Sequence, residues 1–221
     1  MSTFKNPEGN PNAFKLLQAK FRGNRCRKIH IRRAKEGKSV VCPFLASTPK
    51  VVVDLLNIVK PNITNSDIVI DLGSGDGSII VDVAKQTQSK CIGVEIDNVL
   101  CATAKRKAKE SNVHELVNII EGDIADTTCY NLKEATIIFT FLVPSCQQVV
   151  SKILFDTFKK NTVSESNQDN NNNNNSDGIR IVAYKFPLPE EDGWKELLVD
   201  TCETEDVVKK GSMTTLYFYR L

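Results

Sequence analysis

The stretch DLGSGDG, residues 71–77, has glycine at every second position from Gly73 to Gly77. It follows the apolar run IVI at 68–70 and precedes SIIV at 78–81. This pattern indicates a strand that ends and a helix that begins, with a tight turn between them. Glycine has no side chain and adopts positive φ readily. The three glycines therefore predict that other atoms come very close to the backbone of this turn.

Strand and helix patterns alternate along the rest of the chain. A first helix is expected to begin with Thr48 as its N-cap and Pro49 in its first turn. Short apolar strands separated by helices predict an α/β fold, a doubly wound parallel sheet with helices on both faces. The predicted strands are 67–72, 90–96, 116–120, 135–141 and 179–185, with helices up to 86, at 97–111 and at 145–160, and with a closing pair of strands at 196–203 and 213–221.

The composition fits one intracellular globular domain. Of the 221 residues, 41% are hydrophobic, which is enough for a real core. No apolar run approaches the roughly 18 residues of a membrane span, and the polar start MSTFKNPEGN lacks the apolar centre of a secretory signal. The 7 cysteines form no CxxC pair and only 2 histidines are present, so we expect no metal site.

Two segments differ in composition from the rest of the chain. Residues 1–40 hold eleven Lys and Arg against two acids, a net +9, whereas residues 41–221 hold eighteen against twenty-five, a net −7. We expect 1–40 to be a flexible basic arm and 41–221 to be the folded domain. Residues 15–38 of the arm are either simply solvated, or meet RNA, anionic lipid or an acidic protein, or belong to an import sequence. The protein is expected in the cytoplasm or the mitochondrion. The polar insert 163–178, with six consecutive asparagines, is predicted to be disordered.

The glycine turn separates two kinds of nucleotide cofactor. A dinucleotide site has the spacing GxGxxG and places a pyrophosphate at the helix N-terminus. This chain has GxGxG, with Ser78 at the final position of the dinucleotide pattern, and Asp71 and Asp76 would repel a diphosphate. Two carboxylates suit a cationic ligand without phosphate. S-adenosylmethionine is such a ligand, because it carries a sulfonium and an α-ammonium.

Acidic residues also follow the next two strands. Glu95 ends the second strand, where a carboxylate can accept hydrogen bonds from both ribose hydroxyls of a nucleoside. Asp123 follows the third strand and is placed to accept from an adenine amino group, with Ile124 packed on the ring. Asp97 is either a ligand or the N-cap of the next helix. The predicted cofactor-binding residues are Asp71, Gly73, Ser74, Gly75, Gly77, Glu95, Ile96, Asp123 and Ile124.

These motifs, DLGSGDG, VEID and EGDI, resemble those of the class I, Rossmann-like, S-adenosylmethionine-dependent methyltransferases. The resemblance covers residues 43–221 and implies a seven-stranded, mostly parallel sheet whose last strand is antiparallel. In that class the segment after strand four faces the substrate, and enzymes that methylate planar amines usually have Asn/Asp-Pro-Pro-Tyr/Phe there. This chain has Phe141-Leu142-Val143-Pro144 instead, without acid, histidine or cysteine. The resemblance therefore disfavours a planar amine as the acceptor.

A closer resemblance rests on CPFLASTPKVV at 42–52, GVEID, FLVPS and the late FPLP…W. It is to the small protein-lysine methyltransferases that in animals modify the ATP synthase c subunit and the adenine nucleotide translocase. Two differences are that Ala46 replaces a proline usual in the family, and that a basic arm stands where the animal members have an apolar membrane segment. For Tyr184 two roles stay open, orientation of an amine or packing in the core. The substrate-side candidates are Phe44, Thr48, Val143, Pro144 and Tyr184.

Three functions are consistent with these features. The motif set favours methyl transfer from S-adenosylmethionine to a protein side-chain amine, with lysine as the preferred acceptor. The basic segment 15–38 motivates the second function, an RNA methyltransferase. The third is a non-catalytic partner protein that binds S-adenosylmethionine, motivated by the lack of a proton acceptor in FLVPS.

Overall fold

The computed structural model describes residues 47–159, 178–190, 193–209 and 211–221. A 3-10 turn at Leu132–Glu134 precedes the fourth strand, and the last helix continues as a π-helical turn at Phe155–Lys159. The regular elements of the described residues are α1 (Pro49–Ile58), β1 (Ile68–Leu72), α2 (Ser78–Thr87), β2 (Lys90–Glu95), α3 (Asn98–Glu110), β3 (Val117–Glu121), β4 (Ile137–Thr140), α4 (Pro144–Leu154), β5 (Arg180–Tyr184), β6 (Leu198–Glu205) and β7 (Met213–Arg220).

The strands form one sheet in the order β3-β2-β1-β4-β5-β7-β6. Strands β1 to β5 are parallel, whereas β7 runs antiparallel to both β5 and β6. The chain order reverses between β1 and β4, so the carboxyl ends of the central strands border a crevice at this switch point. The predicted seven-stranded, mostly parallel sheet with an antiparallel last strand is confirmed.

Helices cover both faces of the sheet because successive strand side chains point to opposite sides. On one face, Val69, Phe139 and Val182 pack in a single cluster with buried residues of α1, α2 and α3. On the other face, the buried ring of Trp194 contacts Tyr219 of β7, and its Nε1–H donates to Ser151 Oγ of α4 at 2.7 Å.

The predicted elements are present, with ends shifted by a few residues. The largest change is at 145–160, where the α-helix ends at Leu154 and the π turn brings the Phe155 ring to 4.6 Å from that of Trp194. No helix within the described ranges is long and apolar enough to cross a membrane. The arm 1–40 and insert residues 163–177 lie outside the described residues, so the division into arm, domain and insert stays a prediction.

Candidate cofactor site

The turn between β1 and α2 requires its glycines. Gly73, Gly75 and Gly77 have φ values of 86°, 56° and 74°, a region that other residues rarely adopt. A Cβ on Gly73 would lie 2.7 Å from Leu142 Cδ2, and one on Gly77 would lie 2.6 Å from Ala104 Cβ. At Gly73 and Gly77 the close approach is therefore made by the protein itself, from the segment after β4 and from α3.

Hydrogen bonds hold the glycine turn against the end of β2. The N–H groups of Gly73 and Ser74 both donate to the Val94 carbonyl, at 2.9 and 3.0 Å. The Gly75 N–H donates to Oε2 of Glu95 at 2.9 Å. The other oxygen of Glu95, Oε1, accepts from the N–H of Asp97 at 2.8 Å. The carboxylate thus joins the turn to the start of α3.

Two buried carboxylates, Asp71 and Glu95, give the site its negative charge. Burial, and to a smaller extent the charge of Glu95, raises the pKa of the Asp71 carboxyl to about 7. Burial also raises the pKa of Glu95, although the N–H groups of Asp97 and Gly75 lower it part of the way. Among the described residues neither carboxylate pairs with a cation. Such a pair favours a positively charged ligand and opposes a phosphate.

Asp76 does not add to this unpaired charge, which corrects the interpretation made from sequence. Its Oδ2 accepts from Lys107 Nζ at 2.7 Å, and its Oδ1 accepts from the N–H and Oγ–H of Ser78 at 3.2 and 2.7 Å. Burial alone would raise the pKa of the Asp76 carboxyl, but these donors hold it below its ordinary value. The ammonium of Lys107, 31 residues further along the chain, therefore neutralises Asp76, whose carboxylate also binds Ser78, the first residue of α2.

Two other polar residues of the motifs face the protein interior. The Oγ of Ser74 is buried without a hydrogen-bond partner in the part of the chain that the structure describes. It lies against β2, since a Cβ on Gly93 would be 2.6 Å from it. The predicted contact of Ser74 with a cofactor stays a prediction. Asp97 accepts from the N–H groups of Val99 and Leu100 at 2.9 and 3.3 Å, so of its two alternatives the helix cap is confirmed.

The remaining cofactor candidates lie beside Glu95. The Gly122 N–H donates to the Glu95 carbonyl at 2.9 Å, which joins the loop after β3 to the end of β2. Ile96, Asp123 and Ile124 are each half-buried at this edge. The residues predicted at the ends of β1, β2 and β3 are thus brought together, while their contacts with a cofactor stay a prediction.

On the other side of β1, two substrate-side candidates have structural partners. The Tyr184 hydroxyl donates to the Glu205 carbonyl at 2.7 Å and accepts from the Val207 N–H at 2.9 Å. Its ring packs edge-on against Phe141, with centroids 4.2 Å apart. Because the hydroxyl is engaged, the geometry favours the core alternative for Tyr184. Thr48 caps α1, as predicted, and donates its hydroxyl to Glu205 Oε2 at 3.1 Å.

The segment after β4 presents apolar side chains at the crevice. Val143 is the half-buried N-cap of α4, and Pro144 is exposed in its first turn. Behind them, the buried Gln147 accepts from Thr140 Oγ1 and donates to the Phe186 carbonyl, both at 3.0 Å. This amide bridge, which sequence reasoning missed, fixes the segment between β4 and α4.

Two further expectations concern residues elsewhere. Phe44 lies outside the described residues, so its predicted role stays a prediction. Within the described ranges, no cluster of His, Cys, Asp and Glu could hold a metal ion.

The carboxylates of Asp71 and Glu95 are buried without a cationic partner among the described residues, so a sulfonium fits beside them and a diphosphate would be repelled. A site of this kind at the switch point of the sheet is typical of a class I, S-adenosylmethionine-dependent methyltransferase. The comparison with protein families agrees with this class. The chain belongs to the family described as the ANTKMT methyltransferase domain, whose model matches residues 71–195.

Individual relatives support the same assignment. A protein-lysine N-methyltransferase of Saccharolobus islandicus is 31% identical over 181 residues, which is 80% of this chain and 92% of the relative. A lysine N-methyltransferase of Caenorhabditis elegans, named for the ATP synthase c subunit, is 24% identical over 162 residues, 72% of this chain and 74% of the relative. Among solved structures, an RNA methyltransferase from Salinibacter ruber in complex with S-adenosyl-L-homocysteine has a TM-score of 0.59 at 27% identity, covering 79% of this chain and 93% of that one. The methyltransferase class, the cofactor and the family resemblance inferred from sequence are confirmed.

Proposed function

We propose that this protein transfers a methyl group from S-adenosylmethionine to a lysine side chain of a protein substrate. The observation that carries the proposal is the 31% identity, over 80% of the chain, to the protein-lysine N-methyltransferase of S. islandicus. The C. elegans relative is also a lysine N-methyltransferase, so two relatives from different organisms share this acceptor.

The buried acids have separate roles in this proposal. Glu95 accepts hydrogen bonds from the ribose hydroxyls while it keeps those from Gly75 and Asp97. Asp71 balances the positive charge of the cofactor, which supplies an electrophilic methyl group when bound. Asp123 accepts from the adenine amino group. The side chains of Ile96 and Ile124 pack on the ring.

The acceptor side suits an aliphatic amine. A lysine ammonium has no lone pair, so it must lose its proton before it can attack a methyl group. Burial in apolar surroundings lowers the pKa of a lysine amine, and the segment Phe141–Val143 provides such surroundings at the end of β4. The proton passes to water before the amine is buried, so the segment itself needs no general base. Alignment of the neutral amine with the methyl group then favours transfer, in which the nitrogen–carbon bond forms as the methyl–sulfur bond breaks.

RNA methylation is the second candidate function. The RNA methyltransferase of S. ruber, at 27% identity, favours it. The basic segment 15–38, which lies outside the described residues, would supply phosphate contacts, and RNA affinity would then fall steeply with salt.

One labelling experiment distinguishes these functions. The full-length protein is incubated with methyl-labelled S-adenosylmethionine and an extract from cells lacking the gene. We expect label that protease releases and that acid hydrolysis recovers as methyl-lysine. Asp71→Ala should abolish it, whereas Asp200→Ala, at an exposed acid of β6, should retain it. Label released by ribonuclease, or no macromolecular label despite cofactor binding, would contradict the proposal.

A further inference from the structure

Lys107 makes contacts for which the proposed function has no role. Its Nζ lies 2.7 Å from Asp76 Oδ2 and 2.6 Å from Ser78 Oγ. The side chains of Lys107 and Asp76 are shielded from water, with 31% and 17% of their surface exposed. Ala104, one helical turn earlier in α3, occupies the space that a side chain at Gly77 would need. The helix is thus attached to the glycine turn by one apolar and one ionic contact.

The same turn contacts the predicted ribose acceptor on its other side. Asp76 directly follows Gly75, whose N–H donates to Glu95 Oε2 at 2.9 Å. The residues on both sides of Asp76 are glycines with positive φ, 56° at Gly75 and 74° at Gly77. Because glycine places little restriction on its own dihedral angles, the neighbouring peptides need another anchor to keep one orientation. The Gly77 N–H donates to the Ser74 carbonyl at 3.0 Å, and the Asp76 side chain, held by Lys107 and Ser78, is a second anchor.

We propose that Lys107 is a positioning residue for the cofactor: it holds Asp76, Asp76 fixes the glycine turn, and the turn presents the Gly75 N–H that orients the Glu95 carboxylate toward the ribose. Lys107 acts through Asp76. The inference rests on the cofactor site of the proposed function and not on lysine as the acceptor.

A purely electrostatic role makes a different prediction. Without Lys107, Asp76 becomes an uncompensated anion near the cofactor, which would favour the cationic S-adenosylmethionine over S-adenosylhomocysteine, whose sulfur is neutral. A positioning role predicts that the affinities for S-adenosylmethionine and S-adenosylhomocysteine fall by the same factor, since both cofactors carry the same ribose.

The test is titration calorimetry of the full-length protein with each of the two cofactors. Lys107→Met should raise the Kd of both cofactors by about tenfold. Lys107→Arg should keep both Kd values within about twofold of the wild type, because arginine keeps the charge-assisted hydrogen bond to Asp76. Lys109→Met is the matched control, at an exposed lysine of the same helix. In an Asp76→Asn background, Lys107→Met should add less than about twofold, since the contact it removes is already lost.

The outcomes that overturn the inference are specific. Unchanged affinities in Lys107→Met, an equal loss in Lys109→Met, or a loss of affinity confined to one of the two cofactors would each exclude positioning through Asp76. The melting temperatures of all variants without ligand show whether a loss of affinity reflects unfolding. If Lys107→Met alone is unstable, the comparison in the Asp76→Asn background still tests the inference. Binding is measured without an acceptor, so failure here is separate from failure of the lysine assignment.

Discussion

The backbone N–H of Gly75 donates a hydrogen bond to Oε2 of Glu95 at 2.9 Å, across 20 residues of sequence. The glycine turn after β1 and the acid that ends β2 therefore form one hydrogen-bonded unit. Burial penalises the charged form of Glu95, so N–H donors to its carboxylate keep it ready to accept from a ligand. Through this hydrogen bond the motifs DLGSGDG and VEID become parts of a single site.

Glu95→Gln should weaken cofactor binding by about 1–3 kcal/mol, roughly 5- to 150-fold in Kd. The amide loses the charge and turns an NH2 group toward one of the backbone N–H donors. Glu121→Gln is the matched control, because Glu121 is the register partner of Glu95 on β3 but is exposed. Calorimetry with S-adenosylhomocysteine compares the two, and equal affinities would rule out Glu95 as the ribose acceptor.

Affinity for S-adenosylmethionine should fall by about tenfold between pH 8 and pH 6, with a proton released on binding. The Asp71 carboxyl has a pKa of about 7 through burial, so below this pH it must lose a proton before it can balance the cofactor charge. Calorimetry in two buffers of different ionisation enthalpy counts the proton. Asp71→Asn should bind weakly without this pH dependence, and Glu95→Gln should retain it. A wild-type affinity that does not vary with pH would contradict the assignment.

The same raised pKa affects stability in the absence of cofactor. The folded value of about 7 lies above the ordinary 3.8, so the folded state holds a proton that the unfolded state has lost. The free energy of unfolding of the unliganded protein should therefore decrease as the pH rises through this window. Urea titrations at pH 5 and pH 7.5 check this, and Asp71→Asn should reduce the difference. An undiminished difference in that variant would assign the pH dependence to other groups.

Gly77→Ala should destabilise the protein more than Gly73→Ala. A Cβ at Gly77 meets Cβ and Cα of Ala104 at 2.6 and 3.2 Å, whereas a Cβ at Gly73 meets the movable end of the Leu142 side chain. Gly211→Ala is the control for positive φ alone, because nothing lies within 4 Å there, and it should cost about 1–2 kcal/mol. Urea unfolding without cofactor measures all three variants. Equal costs would mean that the contact with Ala104 does not constrain the turn.

Tyr184→Phe should lower the free energy of unfolding by about 1–3 kcal/mol and leave kcat for methyl transfer within about twofold. The change leaves the Glu205 carbonyl and the Val207 N–H without their partner. Tyr217→Phe, at a partly exposed tyrosine of β7, serves as the control. A large fall in kcat at unchanged stability would instead restore the amine-orienting role.

The sheet and the cofactor class were predictable because their signals are local. The strand and helix alternation, the three glycines and the acid at the end of β2 are each set by a few neighbouring residues. Contacts between distant segments carry no such signal. The pairing of Asp76 with Lys107 and that of Tyr184 with Glu205 depend on which side chains face each other after folding. For this reason Asp76 was wrongly interpreted as a ligand-facing charge.

Sequence did contain a partial indication of Lys107. Small residues in α3, Ala104 and Ala108, mark the face of the helix that packs closely, and Lys107 lies beside that face. Identifying its partner would have required knowing that α3 packs against the glycine turn. The Ser74 side chain lies against Gly93 of β2, which is another contact between distant segments that the motif alone did not indicate.

The most direct test of the cofactor site is a crystal structure with S-adenosylhomocysteine bound. We expect both ribose hydroxyls within hydrogen-bonding distance of the Glu95 carboxylate, with the Gly75 N–H still on Oε2 and the contact between Asp76 and Lys107 retained. A ribose bound elsewhere, with Glu95 engaged only by backbone N–H groups, would contradict the assignment of Glu95 and of the turn that orients it.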